Sequence, residues 1–204
     1  MAAATQLIAE GGEEATSLRA VSRAARSNAA AVHYHFGGRD ELLTAVVAGL
    51  LEPVQRRRIE LLEQVRARYE PPVPAAAVVD ALVRPDLELL AQLRPDRVRV
   101  ARLLGQPAVP GSAVAALLER QFEAIAAGAV PLLDPSVPAD ELRQRLRWVR
   151  AAASAVLAGA TEQDTVDGRL EWLVGFAAAG LSAPPTPIQV PSGKVAKMKK
   201  RKKA

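Results

Sequence analysis

Apolar positions along this chain recur at three- and four-residue intervals almost from end to end, and no run alternates as a half-buried strand would. The pattern predicts an all-α protein. An Ala-rich segment over about residues 2–10 stops at Gly11-Gly12. Thr16 or Ser17 supplies an N-cap for a short helix over 18–25, and after a tight turn a second short helix covers about 28–34. Gly37-Gly38 closes it. Asp40 and Glu41 then fall in the first turn of the next helix, where negative charge complements the helix dipole. That helix is long, with Leu43, Val47, Leu50 and Val54 on one face. Pro53 should kink it before it resumes through Arg56-Arg57-Arg58 and fades at Pro71-Pro72.

Pro85, Pro95, Pro107 and Pro110 are expected to divide residues 74–111 into short helices, of which 86–93 and 96–105 are the clearest. Another helix covers about 112–130. Leu142, Leu146, Val149, Ala153 and Val156 follow at spacings of 4, 3, 4 and 3, and Leu170, Leu173, Ala177 and Leu181 repeat the pattern after a polar turn at 161–168. Small residues such as Ala151, Ala152, Gly175 and Gly180 accompany them and permit close helix approach. Two such helices make half of a four-helix bundle that a second copy would complete. This seam is the expected dimer interface, and Trp148 and Trp172 read as packing within it rather than as pocket lining.

Composition narrows the class. Half of the residues are apolar but only 3% are aromatic, so the helices pack largely through Ala, Leu and Val. With no cysteine, disulfides and Cys-ligated metals are excluded. Charged residues interrupt every apolar run before it reaches membrane-spanning length, and the N-terminus lacks the basic start of a signal peptide, so the expected location is the cytoplasm. The net charge of +5 sits in one place. Seven basic residues fall between Lys194 and Lys203, and without them the chain holds 20 basic against 22 acidic residues. That tail follows Pro184-Pro185-Thr186-Pro187, lacks apolar periodicity, and is expected to be disordered.

Two short helices joined by a turn and followed by a longer one form the plan of a helix-turn-helix, whose second helix fits the DNA major groove. The stretch Ala15-Thr16-Ser17-Leu18-Arg19-Ala20-Val21-Ser22-Arg23-Ala24-Ala25, with Val32-His33-Tyr34-His35-Phe36-Gly37-Gly38-Arg39-Asp40-Glu41-Leu42-Leu43 after it, resembles the signature of TetR-family transcriptional regulators. The resemblance covers about residues 2–50. It implies a recognition helix at 28–34, with Asn28 and His33 placed for base edges and Ala29 for a thymine methyl. Thr16 or Ser17, Tyr34, His35 and Arg39 would contact phosphates, and Phe36 would lock the recognition helix to the long helix. Three features depart from the family pattern. Arg26 and Ser27 stand in the turn, where Gly and a β-branched residue are usual. A positive φ at Arg26 would cost on the order of 1 kcal/mol, though Arg26 could add a phosphate contact. The chain opens at Met1-Ala2-Ala3-Ala4 rather than with a basic arm, and residues 1–50 carry a net charge of −1.

Other chemistry finds little support. His33 and His35, at i and i+2 on a helix, point to different faces and do not share a metal ion readily. No Ser/His/Asp or Cys/His grouping and no Gly-rich phosphate loop suggests an enzyme. Arg56-Arg57-Arg58 reads as a solvated face. The expected architecture is therefore a DNA-binding domain over 1–48, a helical ligand-binding and dimerisation domain over 49–182, and a basic tail over 183–204. The expected partners are operator DNA, a second copy and a small effector, with no cofactor, metal or membrane. The effector pocket is expected within about 75–130, apolar with a few Arg and Gln, suiting a hydrophobic or anionic ligand. The alternative is a helical interaction protein of the same fold with weakened DNA binding.

Overall fold

The computed structural model describes residues 3–4, 6–7, 17–26, 28–92, 101, 105, 108–159 and 166–184. Among them seven α-helices stand in the order α1 (Leu18–Ala24), α2 (Ala29–Phe36), α3 (Arg39–Arg68), α4 (Ala75–Gln92), α5 (Ala113–Ala129), α6 (Ala139–Ala158) and α7 (Val166–Ser182), with a 3₁₀ turn Val130–Leu132 after α5. Residues 3, 4, 6 and 7 are also helical, as are 101 and 105. No strand occurs among the described residues. The Gly11-Gly12 stop, Thr16, most of the expected helix at 96–105, most of the turn at 161–168 and the tail beyond Pro184 lie outside them.

Local chemistry sets the first boundaries. Ser17 caps α1, its Oγ accepting from the Ala20 N–H at 3.1 Å, and Ser22 Oγ donates back to the Leu18 carbonyl at 2.7 Å. Arg26 sits at φ 51° in the turn that follows, in the left-handed region where glycine is usual. Asn28 then caps α2. The helix runs two residues past its expected end and stops at Gly37, whose φ of 83° needs a residue without a Cβ. Asp40 and Glu41 occupy the first turn of α3 as expected.

Two hydrophobic cores share α3. The first gathers Ala4, Val21, Leu42, Leu43, Val46, Val47, Leu51 and Val114, with Phe36, Leu7 and Leu18 packed at its edge. The second is larger and draws α4, α5, α6 and α7 around Val78, Val79, Phe122, Leu146, Leu173 and Leu181, with Leu62 of α3 buried in it. One 30-residue helix therefore runs from one core into the other, with Pro53 between them.

The expectation that Pro85 would end a helix is overturned: α4 is continuous from Ala75 to Gln92. Proline removes a single backbone bond there, whereas Val78, Val79, Ala81, Val83 and Leu87 are buried along the helix, and Pro85 itself is fully buried. Burying each such side chain stabilises by roughly 1.5–3 kcal/mol, which together outweighs the local penalty of about 3 kcal/mol. Elsewhere a glycine is required by close approach. A Cβ on Gly105 would lie against the Ala158 backbone nitrogen and 2.6 Å from the Ser154 carbonyl oxygen.

Candidate nucleic-acid interface and internal cavity

The candidate DNA-facing surface begins at the turn between α1 and α2. Arg19, Arg23 and Arg26 are exposed along α1 and the turn. Asn28 is exposed as well, but its side chain has a structural task. Its Oδ1 accepts from the Ala30 N–H at 2.9 Å, which leaves the amide nitrogen as the group able to reach a base. On α2, Ala30, His33 and Tyr34 are exposed at i, i+3 and i+4, so they share one face. Tyr34 is 86% exposed. Arg39 ion-pairs with Asp40 at 3.2 Å. Phe36 is half-buried against Leu42 and its neighbours, and so ties α2 to α3. The structure thus brings Arg26, Asn28, His33 and Tyr34 to one exposed helix and its turn, with Ser17 at the start of α1. Ser17 is occupied as a cap. Ala29 and His35 lie in α2, but their side chains, like all of Thr16, are outside the described set.

The seam expected to join two copies is placed differently. Leu142, Leu146, Val149, Ala153, Leu173, Ala177 and Leu181 are buried inside the second core of the single chain, and Val156 is packed against it. Neighbouring helices of the same chain cover most of these side chains, and Val156 is partly exposed. The Leu170 side chain lies outside the described set. The 3.6-residue pattern marks which face of each helix is apolar but not what covers it, and here α4 covers α7. The opposite faces remain open. Trp172 and Phe176 are 84% and 75% exposed on α7, and Trp148 is 62% exposed on α6. Gly175 and Gly180 also face open space.

Between the two cores lies a cavity of about 620 Å³. Residues between Leu82 and Ala126 contribute to its wall, and α3 (Val47 to Arg58) and α6 (Leu146 to Leu157) also line it. The expectation of a solvated Arg56-Arg57-Arg58 face holds for part of the run only. Arg56 pairs outward with Glu52 at 2.7 Å, and Arg57 reaches Glu60 and Glu88. Arg58 instead turns inward, its Nε donating to the Leu82 carbonyl at 2.7 Å and its Nη2 to Asp86 at 2.5 Å. Its position seven after Leu51 and four before Leu62, both buried, is the signal for this in the sequence. Burial pushes the Asp86 carboxyl up from its ordinary value, and Arg58 partly offsets that.

On the other side of the cavity Phe122 lies under two guanidinium groups, Arg147 at 4.7 Å and Arg150 at 4.9 Å. Arg147 bonds Glu119 and Glu123 and holds Glu119 below the usual carboxylate range, while burial lowers Arg150. A further element escapes sequence reasoning. Arg145 is buried with its Nη1 on the Gly180, Leu181 and Ala183 carbonyls and its Nη2 on Glu141 at 2.5 Å, so one side chain closes the C-terminus of α7. An arginine amid a leucine seam gives no sequence sign of whether it snorkels outward or caps a neighbouring helix.

Residues 1–46 match the family described as bacterial regulatory proteins, tetR family. No curated protein matches the chain. Among solved structures, a probable transcriptional regulatory protein is 17% identical over 90% of this chain and 97% of its own, with a TM-score of 0.57. FadR of Bacillus halodurans, a fatty acid degradation regulator, is 13% identical over 90% and 94%, with a TM-score of 0.59. NalD of Pseudomonas aeruginosa, secondary repressor of the MexAB-OprM multidrug efflux pump, is 18% identical over 88% and 92%, with a TM-score of 0.50. These likenesses concern the fold over nearly the whole length. Among the described residues, no helix is long and apolar enough to cross a membrane.

Proposed function

We propose that this chain, whose residues 1–46 match the tetR family of bacterial regulatory proteins, is a DNA-binding transcription regulator that acts in the cytoplasm as a homodimeric, effector-responsive repressor of a near-palindromic operator. The observation that carries the reading is the exposed α2 face bearing His33 and Tyr34 behind a turn held by Arg26. Such a helix enters the major groove, and flanking arginines and hydroxyls meet phosphates. The proposed divisions are a reading head over 1–48, a body over 49–182 and a basic tail over 183–204.

Dimerisation is assigned to the open faces of α6 and α7. Trp148, Ala151 and Ala155 recur at i, i+3 and i+7, as Trp172, Gly175 and Ala179 do on α7, and all are exposed. Large aromatics beside small residues permit close helix packing between copies. The cavity supplies the regulation. Its wall includes Val47 and Leu51 of the first core and Phe122 and Leu146 of the second, so an occupant touches both. An effector that binds the non-DNA arrangement more tightly shifts the population away from the operator.

The test is fluorescence anisotropy with DNA from around the protein's own gene at two salt concentrations, beside sedimentation of the same samples. Tight, sequence-selective binding is expected to fall at least ten-fold in Tyr34→Ala. Phe176→Asp is expected to yield a folded monomer with weakened operator affinity. Binding that is indifferent to sequence and to Tyr34 would remove the reading.

A further inference from the structure

We infer that the cavity is completed by the second copy of the chain: the partner seated on the open faces of α6 and α7 covers the cavity mouth, so that an apolar occupant and the dimer strengthen each other. This rests on the dimer assigned above and adds that the site is shared across it.

Exposure locates the mouth. Most of the wall is buried or half-buried, from Val47 and Leu51 on α3 to Phe122 on α5 and Leu157 on α6. Among the described wall residues, the exposed ones are Glu119 on α5 and Arg150, Ala151 and Ala155 on α6. The cavity therefore opens to water between these two helices. Glu119 is 47% exposed on one side of the opening, and Arg150, 45% exposed, lies over the Phe122 ring on the other.

The same stretch of α6 belongs to the dimer face. Trp148, Ala151 and Ala155 stand at i, i+3 and i+7, so they share one side of the helix, and Trp148 is 62% exposed. Ala151 and Ala155 thus border the cavity and the dimer face at once, whereas Trp148 does not line the cavity of its own chain. In a two-fold contact each residue meets its counterpart reciprocally. An antiparallel crossing of the two α6 helices centred near Ala151 sets the indole of each copy against Ala155 of the other, beside that copy's cavity mouth. A large ring over small residues also lets the helices approach closely.

Such a cover is large enough to matter. With the mouth open, part of an occupant stays in water. Withdrawing about 55 Å² of further apolar surface corresponds to a ten-fold gain in affinity, and a single tryptophan buries roughly 150–250 Å². The linkage runs both ways. If pairing tightens an occupant ten-fold, each occupant tightens pairing by the same factor.

The experiment titrates N-phenyl-1-naphthylamine, an uncharged apolar fluorophore, into the full chain at neutral pH, with sedimentation velocity on the same samples. The unaltered chain is expected to be a dimer that binds one probe per chain. Phe176→Asp, as a monomer, should bind at least ten-fold more weakly, and saturating probe should return part of it to the dimer. Trp148→Ala removes the cover whether or not the copies stay paired, so its affinity should fall at least five-fold. Because that side chain is exposed, its circular dichroism should match the unaltered chain's, and this variant decides the question if Phe176→Asp does not fold. An unaltered chain that sediments as a monomer, or a Phe176→Asp variant that stays dimeric, removes the dimer placed on this face and the inference with it. Full affinity in the Phe176→Asp monomer or in Trp148→Ala, or no probe bound by the dimer, overturns the inference and leaves the dimer standing.

Discussion

The two ends of α3 belong to regions that use burial for opposite purposes. Near its start, Leu42, Leu43, Val46 and Val47 form a small core beneath α1 and α2, and the groups proposed to meet DNA lie on the outside: Arg26 in its left-handed turn, His33 and Tyr34 on the open helix face. Farther along, Leu62 enters a larger core in which the groups of interest face inward, with Arg58 on Asp86, Gln55 on Gln121 and Arg145 on the end of α7. The reading head presents chemistry to a partner already in water. The body hides its chemistry, and there each polar group must find an internal partner. Substitutions should therefore separate the regions: inward groups of the body govern stability, outward groups of the head govern DNA.

The largest expected effect is that of Arg145→Ala. It removes the guanidinium that satisfies three carbonyls at the end of α7 and leaves Glu141 without its partner. A loss of about 3 kcal/mol follows, at the low end for breaking a buried pair because Glu141 is partly exposed. Urea unfolding measures it, and the order of preference among DNA sequences should not change.

Next comes Asp86→Leu, which leaves Arg58 facing a wall without a counter-charge and should destabilise by about 2 kcal/mol, reduced because Arg58 is 17% exposed. Adding Arg58→Met should recover most of that loss in the same unfolding assay, since two apolar side chains of similar length replace a self-contained pair. A double variant no better than the single one would show that Arg58 stabilises through its bond to the Leu82 carbonyl instead.

The smallest stability effect is expected at Asn28. Asn28→Ser keeps an N-cap oxygen for the Ala30 N–H, so the unfolding free energy should move by no more than about 0.5 kcal/mol. The lost amide should still cost about 1 kcal/mol of discrimination at particular base pairs in competition binding. If stability drops and discrimination holds, Asn28 is a cap and nothing more.

Much of the head is legible in the amino-acid sequence because its signals are local. Ser17, Asn28 and the Gly37-Gly38 stop each act within three or four residues, and the positive φ at Arg26 follows from a residue forced into a tight turn. The body is legible only as periodicity. Leu142, Leu146 and Val149 recur as one apolar face, yet the same pattern suits a face covered by a second chain or by a neighbouring helix, and the fold covers it from within.

The residues by themselves determined that the chain is helical, where its first helices begin and end, and which side of each helix is apolar, since these depend on propensity, capping and a fixed 3.6-residue period. Only the tertiary structure decided that α4 runs unbroken through Pro85, that Arg58 and Arg145 turn inward, that Trp172 and Phe176 are left open, and that a cavity lies between the cores. Each of these outcomes depends on which distant surface meets which. Burial summed over several side chains, together with the requirement that buried polar groups be paired, outweighs the local preference that a sequence window displays.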